Sequence, residues 1–174
     1  VGIIPSYKPD EKLGQTVAGC LRTCPNLHRV LVVDDGSGRE FDETFEQVGG
    51  LDEKVEVLHL GVNSGMGGAI KGGLQHALYR YPEATGFVAL DADGQHHPED
   101  VAKVMARFRA DEDAFVIGVR EYHDSSIAIP LRSRFGNRVT EVVFKACTGI
   151  HLKDTQSGLR CYPRKVAVLC TQIE

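Results

Sequence analysis

The chain has 174 residues, about the size of one domain, and its 42% hydrophobic content is enough for a packed core and excludes a disordered chain. Its 20 basic and 24 acidic residues give a net charge of −4, so composition offers no reason to expect non-specific nucleic-acid binding. No apolar run approaches the roughly 18 residues of a membrane span.

Strand-like apolar runs alternate along the chain with helical patterns of 3.6-residue spacing. Strands are expected at residues 1–4, 30–33, 55–60, 87–90 and 114–119, the first of them ended by Pro5. Helices are expected after Asp10 as N-cap, over 66–81, from Pro98 onward and around Val139. This order predicts an α/β fold with a Rossmann-like, mostly parallel sheet and helices on both faces.

The cysteines and the two ends of the sequence predict where the protein works and how it is divided. None of the five cysteines forms a CxxC pair, and those at 20, 24 and 147 lie on apolar helical faces. This is typical of buried free thiols in a reducing compartment and predicts a cytoplasmic protein. No internal repeat, low-complexity linker or break in composition divides the sequence, so we expect a single domain over 1–174. Because the sequence begins on one apolar run and stops within another, 166–173, we expect this domain to be truncated at its C-terminus.

Polar clusters follow three of the expected strands, at the sheet edge where ligands bind in such folds. They are Pro5-Ser6-Tyr7, Asp34-Asp35-Gly36-Ser37 and Asp91-Ala92-Asp93. The middle cluster offers carboxylates that can accept hydrogen bonds from a nucleobase or ribose, or that simply form and cap the turn.

Asp91 and Asp93 are two residues apart on an extended chain, so their carboxylates share a side and can hold a hard divalent cation. Gln95, His96 and His97 add further potential ligands. Oxygen ligands favour Mg²⁺ or Mn²⁺, whereas the histidine pair keeps a zinc hydrolase open. A solvated acidic turn before a helix is the alternative interpretation.

The glycine-rich segment 63–73 resembles a phosphate-binding loop only loosely, because it lacks the Gly-Lys-Ser/Thr ending and the full G-x-G-x-x-G pattern. The same glycines suit close packing of a helix on the sheet, whereas Gly36, Gly38 and Gly94 are expected in turns beside the carboxylates. Lys71, one turn into the helix, either reaches a diphosphate or is solvated.

Arginines accumulate after the fifth strand, at positions 120, 132, 134 and 138. Guanidinium groups suit phosphate oxygens, although a solvated helix face explains the same pattern. Further along, Asp154 is a candidate general base or positioning group and Arg160 a candidate phosphate contact, unless the segment is an ordinary polar turn.

Taken in order, these motifs resemble the family-2 glycosyltransferases of the GT-A fold. The matching strings are Ile4-Pro5-Ser6-Tyr7, Val33-Asp34-Asp35-Gly36-Ser37, Asn63 through Gly73, Leu90 through His96, and Gly118-Val119-Arg120. Two later strings, Arg134-Phe135-Gly136-Asn137 and Asp154 through Arg160, are similar to the branch of dolichyl-phosphate mannose synthase and polyprenyl-phosphate glycosyltransferases. The resemblance covers nearly the whole chain.

The resemblance implies a role for each matching residue. The donor nucleotide would be held by Pro5, Tyr7, Asp34, Asp35, Lys71 and Asp91. The metal ligands would be Asp91, Asp93 and Gln95, the last two binding directly. Phosphate binding and catalysis would fall to Arg120, Arg134 and Asp154. Met66 departs from the pattern, because relatives often carry lysine there.

The resemblance implies an inverting transfer of a sugar from a UDP- or GDP-sugar, with Mg²⁺ or Mn²⁺ as cofactor. The expected acceptor is a polyprenyl phosphate, which suggests cell-envelope biosynthesis at the inner face of the membrane. A nucleotide-sugar-binding module without catalysis and a transferase to a saccharide hydroxyl are the alternatives. A nucleotide-sugar pyrophosphorylase would carry its glycine-rich loop after the first strand, where Pro5-Ser6-Tyr7 stands.

Overall fold

The structure is a computed structural model that describes residues 1–119 and 157–173. Its contacts divide the chain into two compact units, Val1–Ile117 with Leu159–Glu174, and Gly118–Gly158. Every helix and strand below belongs to the first unit, and the single domain over 1–174 stays a prediction. Several sequence predictions lie outside the described residues, namely the helix around Val139, the thiol of Cys147 and the site residues Arg120, Arg134 and Asp154.

Six strands of the described residues form one sheet. They are β1 (Gly2–Ser6), β2 (Val30–Asp34), β3 (Val55–His59), β4 (Gly86–Ala89), β5 (Val116–Ile117) and β6 (Arg160–Pro163). Their order across the sheet is β3-β2-β1-β4-β6-β5. The first four strands pair in parallel, whereas β6 is antiparallel to both β4 and β5. The prediction of a mostly parallel sheet is confirmed.

Helices connect these strands, and two of them were not predicted. The helices of the described residues are α1 (Lys12–Thr23), α2 (Asp42–Gly49), α3 (Gly65–Arg80), α4 (Pro98–Ala110) and α5 (Arg164–Gln172), with a 3₁₀ turn at Arg39–Phe41. Helix α2 gives no periodic signal in the sequence, because this short helix buries only Phe45 and Val48. Helix α5 covers most of the apolar stretch 166–173, for which no helix is predicted.

Two predicted boundaries shift in the structure. Pro5 lies inside β1 instead of ending it, which is tolerated because the pairing of β1 with β4 stops at Ile3 and no ladder hydrogen bond is lost beyond it. Helix α1 begins at Lys12, with Glu11 and not Asp10 at its N-cap. The Asp10 carboxylate still accepts the backbone N–H of Lys12, at 2.9 Å.

Alternating side chains of the central strands pack on opposite faces of the sheet. Ile4 and Val32 belong to a core with α1, α2 and α4, whereas Ile3 and Val33 belong to a core with α3 and α5. The predicted helix layers on both faces are therefore confirmed. Burial of both faces is typical of a parallel sheet that is covered by helices on each side.

The free thiols predicted on apolar helical faces are confirmed at two positions. Cys20 and Cys24 are free and buried in the core beneath α1. Burial, with a smaller contribution from the Cys24 thiol, raises the pKa of Cys20 to about 12. These thiols therefore stay protonated and act as small core side chains.

Helix α3 lies unusually close to the sheet. A Cβ atom at Gly73 would sit 2.9 Å from Cγ2 of both Ile3 and Val33, which is closer than side chains pack. Only a glycine at this position lets α3 approach β1 and β2 so closely. The expected close packing of the glycine-rich helix on the sheet is thus confirmed at Gly73.

A polar cluster ties the edge strand β3 to the far end of α3. Glu56 Oε1 lies 2.7 Å from Nε2 of His76, and the Tyr81 hydroxyl donates to Glu56 Oε2. Burial alone raises the pKa of Glu56, but the hydrogen bonds from Tyr81 and His76 outweigh it and hold that pKa below its ordinary value of 4.5. Burial and the Glu56 carboxylate together raise the pKa of Tyr81 to about 12.

This cluster should make the free energy of unfolding depend on pH. Because the pKa of Glu56 is lower in the folded chain, its stabilising effect is complete above its ordinary pKa and is lost as the pH falls through the folded value. We expect Glu56→Gln to show a smaller decline of unfolding free energy between about pH 6 and about pH 3, measured in urea titrations.

Glu53→Gln is the matched control, because Glu53 is an exposed glutamate three residues earlier. It removes the same charge outside the cluster and should keep the decline of the wild type. Identical declines for the wild type and Glu56→Gln would contradict the assignment.

Candidate functional site

The carboxyl end of β2 carries two consecutive aspartates with different partners. Asp34 Oδ1 accepts the backbone N–H of Ser37 at 2.8 Å, and Asp34 Oδ2 lies 2.9 Å from Nδ1 of His59 at the end of β3. Asp35 Oδ1 accepts both the backbone N–H and the hydroxyl of Ser64, at 2.8 and 2.9 Å. Asp34 therefore shapes the turn after β2, and Asp35 anchors the start of α3.

Asp34 is a permanent negative charge at this edge of the sheet. Burial alone raises its pKa, but hydrogen bonds from the side chain and main chain of Ser37 and from His59 outweigh that effect and lower the pKa below its ordinary value. The His59 ring is itself supported by Phe45, whose ring stands edge-on at a centroid distance of 5.5 Å. The charge is thus held in place by three elements, β2, β3 and α2.

The loops that follow β1, β2 and β3 are joined at this edge. Gly36 adopts a φ of +70°, and a Cβ there would lie 2.8 Å from the backbone of Val62 and Asn63. Lys8, with a φ of +49°, donates its backbone N–H to the Ser37 hydroxyl at 2.8 Å. A strained backbone of this kind is common where a site is built.

Glycines occupy the turns beside the carboxylates, as the sequence predicted. Gly36, Gly38 and Gly94 have φ values of +70°, +102° and +74°, in the region that favours glycine. The two aspartate clusters therefore sit next to tight turns at the ends of β2 and β4.

The predicted residues of β1 lie between these two clusters. Pro5 is buried within the strand, and Tyr7 just beyond it is 51% exposed, with the Lys8 ammonium 5.4 Å from its ring centroid. Ser6 is 5% exposed, and its hydroxyl is the one fully buried side-chain polar atom in residues 1–119 and 157–173 that has no hydrogen-bond partner. Tyr7 is therefore the residue of this motif that is exposed at the edge of the sheet.

The acidic pair after β4 is held by its own loop. Asp93 is exposed, and its carboxylate accepts the backbone N–H of Gln95 at 3.0 Å and the side-chain amide of Gln95 at 2.6 Å. Asp91 Oδ2 lies 3.0 Å from Nε2 of His96, whose side chain is only 7% exposed. The buried imidazole of His96 is therefore hydrogen-bonded to the Asp91 carboxylate.

No group of three or more histidine, cysteine or acidic side chains is arranged to hold a metal within the described part of the chain. The exposed carboxylate of Asp93 and the amide oxygen of Gln95 are nevertheless hard ligands in the same loop. Mg²⁺ is typically held by one or two carboxylates together with water and substrate phosphates. This donor set fits such an ion, and it does not form a closed protein cage.

The start of α3 faces open space. A Cβ at Gly65 or at Gly67 would meet no atom within 4 Å, and Met66 between them is 58% exposed. Lys71, one turn further along, donates from its ammonium to the backbone carbonyl of Ile173. Arg160, the candidate phosphate contact of the later string, opens β6 and is half-buried.

The structure also shows residues that the sequence analysis did not single out. Ser64 and His59 hold the two aspartates of β2, and Lys8 joins two loops. Ser64 lies inside the glycine-rich motif, so the motif gave a signal for it. Nothing in the sequence pattern marks His59, because its contact with Asp34 spans 25 residues.

A cavity of about 660 Å³ opens at the opposite edge of the sheet, near Val1, Arg29 and Gly86. None of the predicted site residues that the structure describes lines it. The predicted site residues of the described strands lie instead at the carboxyl ends of the parallel strands.

The fold is that of the GT-A glycosyltransferases. A mannosyltransferase from Pyrobaculum calidifontis, solved with GDP-Man and Mn²⁺, superposes with a TM-score of 0.60 at 16% identity, covering 94% of this chain and 44% of that one. Glucosyl-3-phosphoglycerate synthase from Mycobacterium tuberculosis, solved with Mn²⁺, UDP-Glc and phosphoglyceric acid, superposes at 0.64 with 16% identity, covering 94% and 56%. At 16% sequence identity, these two superpositions establish the fold of this chain and nothing further.

The chain belongs to glycosyl transferase family 2, which matches residues 3–168. UDP-N-acetylglucosamine–dolichyl-phosphate N-acetylglucosaminyltransferase of Methanococcus voltae is 31% identical, over 98% of this chain and 72% of that protein. Polyprenol monophosphomannose synthase of Mycolicibacterium smegmatis is 30% identical, over 94% and 61%. Undecaprenyl-phosphate mannosyltransferase of Micrococcus luteus is 30% identical, over 92% and 64%.

The chain thus spans less than two thirds of the length of several curated relatives. Among the helices of residues 1–119 and 157–173, none is both long and apolar enough to cross a membrane.

Proposed function

We propose that this chain carries the catalytic site of an inverting glycosyltransferase that moves a sugar from a nucleoside-diphosphate donor to a polyprenyl phosphate. The observation that carries the proposal is the strand order β2-β1-β4, which sets the ends of these three strands side by side. Asp35 follows β2, Tyr7 follows β1 and Asp93 follows β4. Relatives whose names give dolichyl phosphate, polyprenol and undecaprenyl phosphate support this acceptor class.

The nucleoside end of the donor would bind between the ends of β1 and β2. Pro5, Tyr7 and Asp35 would contact the base and ribose there, and Asp34 would keep the turn and its charge in place. The first turn of α3 opens toward empty space next to Asp35, which leaves room for the diphosphate. Lys71 would approach that diphosphate by leaving the carbonyl of Ile173.

Asp93 and Gln95, with Asp91 beside them, would hold Mg²⁺ or Mn²⁺ together with the donor phosphates. When bound, the cation neutralises the charge that develops on the leaving nucleoside diphosphate. Arg120 and Arg134 are proposed as further phosphate contacts on the same grounds of charge. The two solved neighbours that hold Mn²⁺ with a nucleotide sugar support this part of the proposal.

A lipid phosphate is already an anionic nucleophile, so its attack on the anomeric carbon needs little help from a general base. Attack on the side opposite the leaving group inverts the configuration of the sugar. A saccharide hydroxyl as acceptor would need a base, and Asp154 is the residue proposed for that role. With a membrane lipid as acceptor, the protein would act in the cytoplasm at the inner face of the membrane.

Calorimetry and a transfer assay on the full-length protein test this function. With Mn²⁺ present, we expect binding of a UDP- or GDP-sugar and transfer of labelled sugar to polyprenyl phosphate in detergent. Absence of any nucleotide-sugar binding would overturn the proposal. Binding without transfer would show that the chain is a nucleotide-sugar-binding module without catalysis. Transfer only to a saccharide hydroxyl would favour the alternative transferase, in which Asp154 acts as the general base.

A further inference from the structure

We infer that the site at the end of β2 selects uracil over guanine, so that the donor is a uridine-diphosphate sugar. The inference rests on the proposed function, because it takes Asp35 as the residue that meets the base. What it adds is the choice of base, which follows from how the oxygens of Asp34 and Asp35 are used.

Asp35 has one oxygen to offer a ligand. A carboxylate oxygen has two lone pairs, and Oδ1 already accepts two hydrogen bonds, from the backbone N–H and the hydroxyl of Ser64. Oδ2 accepts none from any residue in the described ranges 1–119 and 157–173, although Asp35 is only 3% exposed. Within the described residues only the Ser6 hydroxyl is both fully buried and without a partner, so Oδ2 is the part of the Asp35 side chain that a ligand can reach.

Asp34 does not supply the second oxygen. It is 5% exposed, and its carboxylate binds the main chain and side chain of Ser37 and the ring of His59. These donors come from two different elements and hold the carboxylate in the turn. The end of β2 therefore presents a single open acceptor.

The bases differ in the donors that they bring to such an acceptor. Guanine carries N1–H and the N2 amino group side by side, and this pair fits both oxygens of one carboxylate in a fork. Uracil carries one N–H, at N3, between two carbonyl groups. Cytosine has an unprotonated nitrogen at the same place, which a carboxylate repels. One open oxygen matches uracil and leaves a guanine donor without its partner.

Calorimetric titration of the full-length protein in Mn²⁺ with UDP, GDP and CDP tests the choice. We expect UDP to bind at least about tenfold more tightly than GDP, the effect of one hydrogen bond to a charged group. Equal or tighter binding of GDP would overturn this inference and leave the proposed function standing. Absence of binding by all three would overturn the proposed function and the inference together.

Two variants probe the mechanism of the choice. In Asp35→Asn, the two donors of Ser64 should hold the amide oxygen and turn the amide NH₂ toward the ligand. The open acceptor becomes a donor, so UDP binding should fall and the ratio of CDP to UDP affinity should rise at least about tenfold. An unchanged ratio in a folded Asp35→Asn protein would overturn the inference.

Ser64→Ala removes one of the two hydrogen-bond donors to Oδ1 of Asp35. The ratio of UDP affinity to GDP affinity should therefore fall severalfold. Thr23→Ala is the control, because it removes a hydroxyl at the C-terminal end of α1, outside the site, and should leave the ratio unchanged. Thermal unfolding checks that each variant folds. If Ser64→Ala fails to fold, the wild-type titration and Asp35→Asn decide the question.

Discussion

Asp93→Ala should bind nucleoside diphosphate about 100-fold more weakly than the wild type in Mn²⁺, because a bound metal contributes several kcal/mol through the donor phosphates. Within the described residues, the Asp93 carboxylate bonds only to Gln95 of its own exposed loop. Its removal should therefore leave the thermal unfolding temperature nearly unchanged. Calorimetry with and without Mn²⁺ measures the effect, and chelation of the metal should bring the wild type and the variant to the same weak affinity.

Asp111→Ala provides a matched control for the loss of this carboxylate. Asp111 is also exposed and also accepts the backbone N–H of the residue two positions later, Asp113, at 3.3 Å. It lies at the end of α4, away from the β4 loop. The control should bind donor like the wild type, and an Asp93→Ala protein with full Mn²⁺-dependent affinity would contradict the metal assignment.

Gly36→Ala should lower the free energy of unfolding by about 2–4 kcal/mol. Part of this loss is the strain of an L side chain at a φ of +70°, and the rest is contact of the new Cβ with backbone atoms of Val62 and Asn63 at 2.8 Å. A backbone cannot turn aside as the tip of a side chain can. Urea unfolding gives the loss of stability, and donor binding should weaken as well because the adjoining Asp35 anchor is displaced.

Gly67→Ala separates this effect from glycine replacement in general. Gly67 lies in the first turns of α3, and a Cβ there meets no atom within 4 Å. Helix propensity should make this variant as stable as the wild type or more stable by up to about 1 kcal/mol. A Gly36→Ala protein as stable as Gly67→Ala would show that the loop after β3 does not constrain the turn.

Much of this arrangement could be predicted because parallel strands put their carboxyl ends at one edge. The apolar runs at 30–33 and 87–90 predict two such strands, and Asp34, Asp35 and Asp93 follow them directly, so the sequence alone places these carboxylates at that edge. The side-chain contacts that hold these aspartates could not be predicted from the sequence. Asp34 meets His59 across 25 positions and Asp35 meets Ser64 across 29, and such pairings depend on the register of β2 with β3.

The remaining failures have the same kind of cause. Glu56 was hidden in a strand pattern, because its partners His76 and Tyr81 come from a helix that packs on the edge strand only in the folded chain. The antiparallel place of β6 between β4 and β5 was also missed, since no hairpin turn joins these strands. Local patterns identify elements, whereas tertiary packing decides which distant side chains meet.

The antiparallel pairing of β5 with β6 has a consequence for how such proteins diverge. Val116 pairs with Cys161 and Ile117 with Arg160, so the chain leaves the sheet and returns to it on neighbouring strands. The ends of the intervening segment, 118–159, are therefore held together at one strand spacing whatever its length. Since doubling a loop adds only about 0.6 kcal/mol of closure entropy, such a segment can be lengthened, shortened or exchanged at little energetic cost. The length and sequence of the chain between β5 and β6 can thus change in evolution while Asp34, Asp35 and Asp93 keep their places at the ends of β2 and β4.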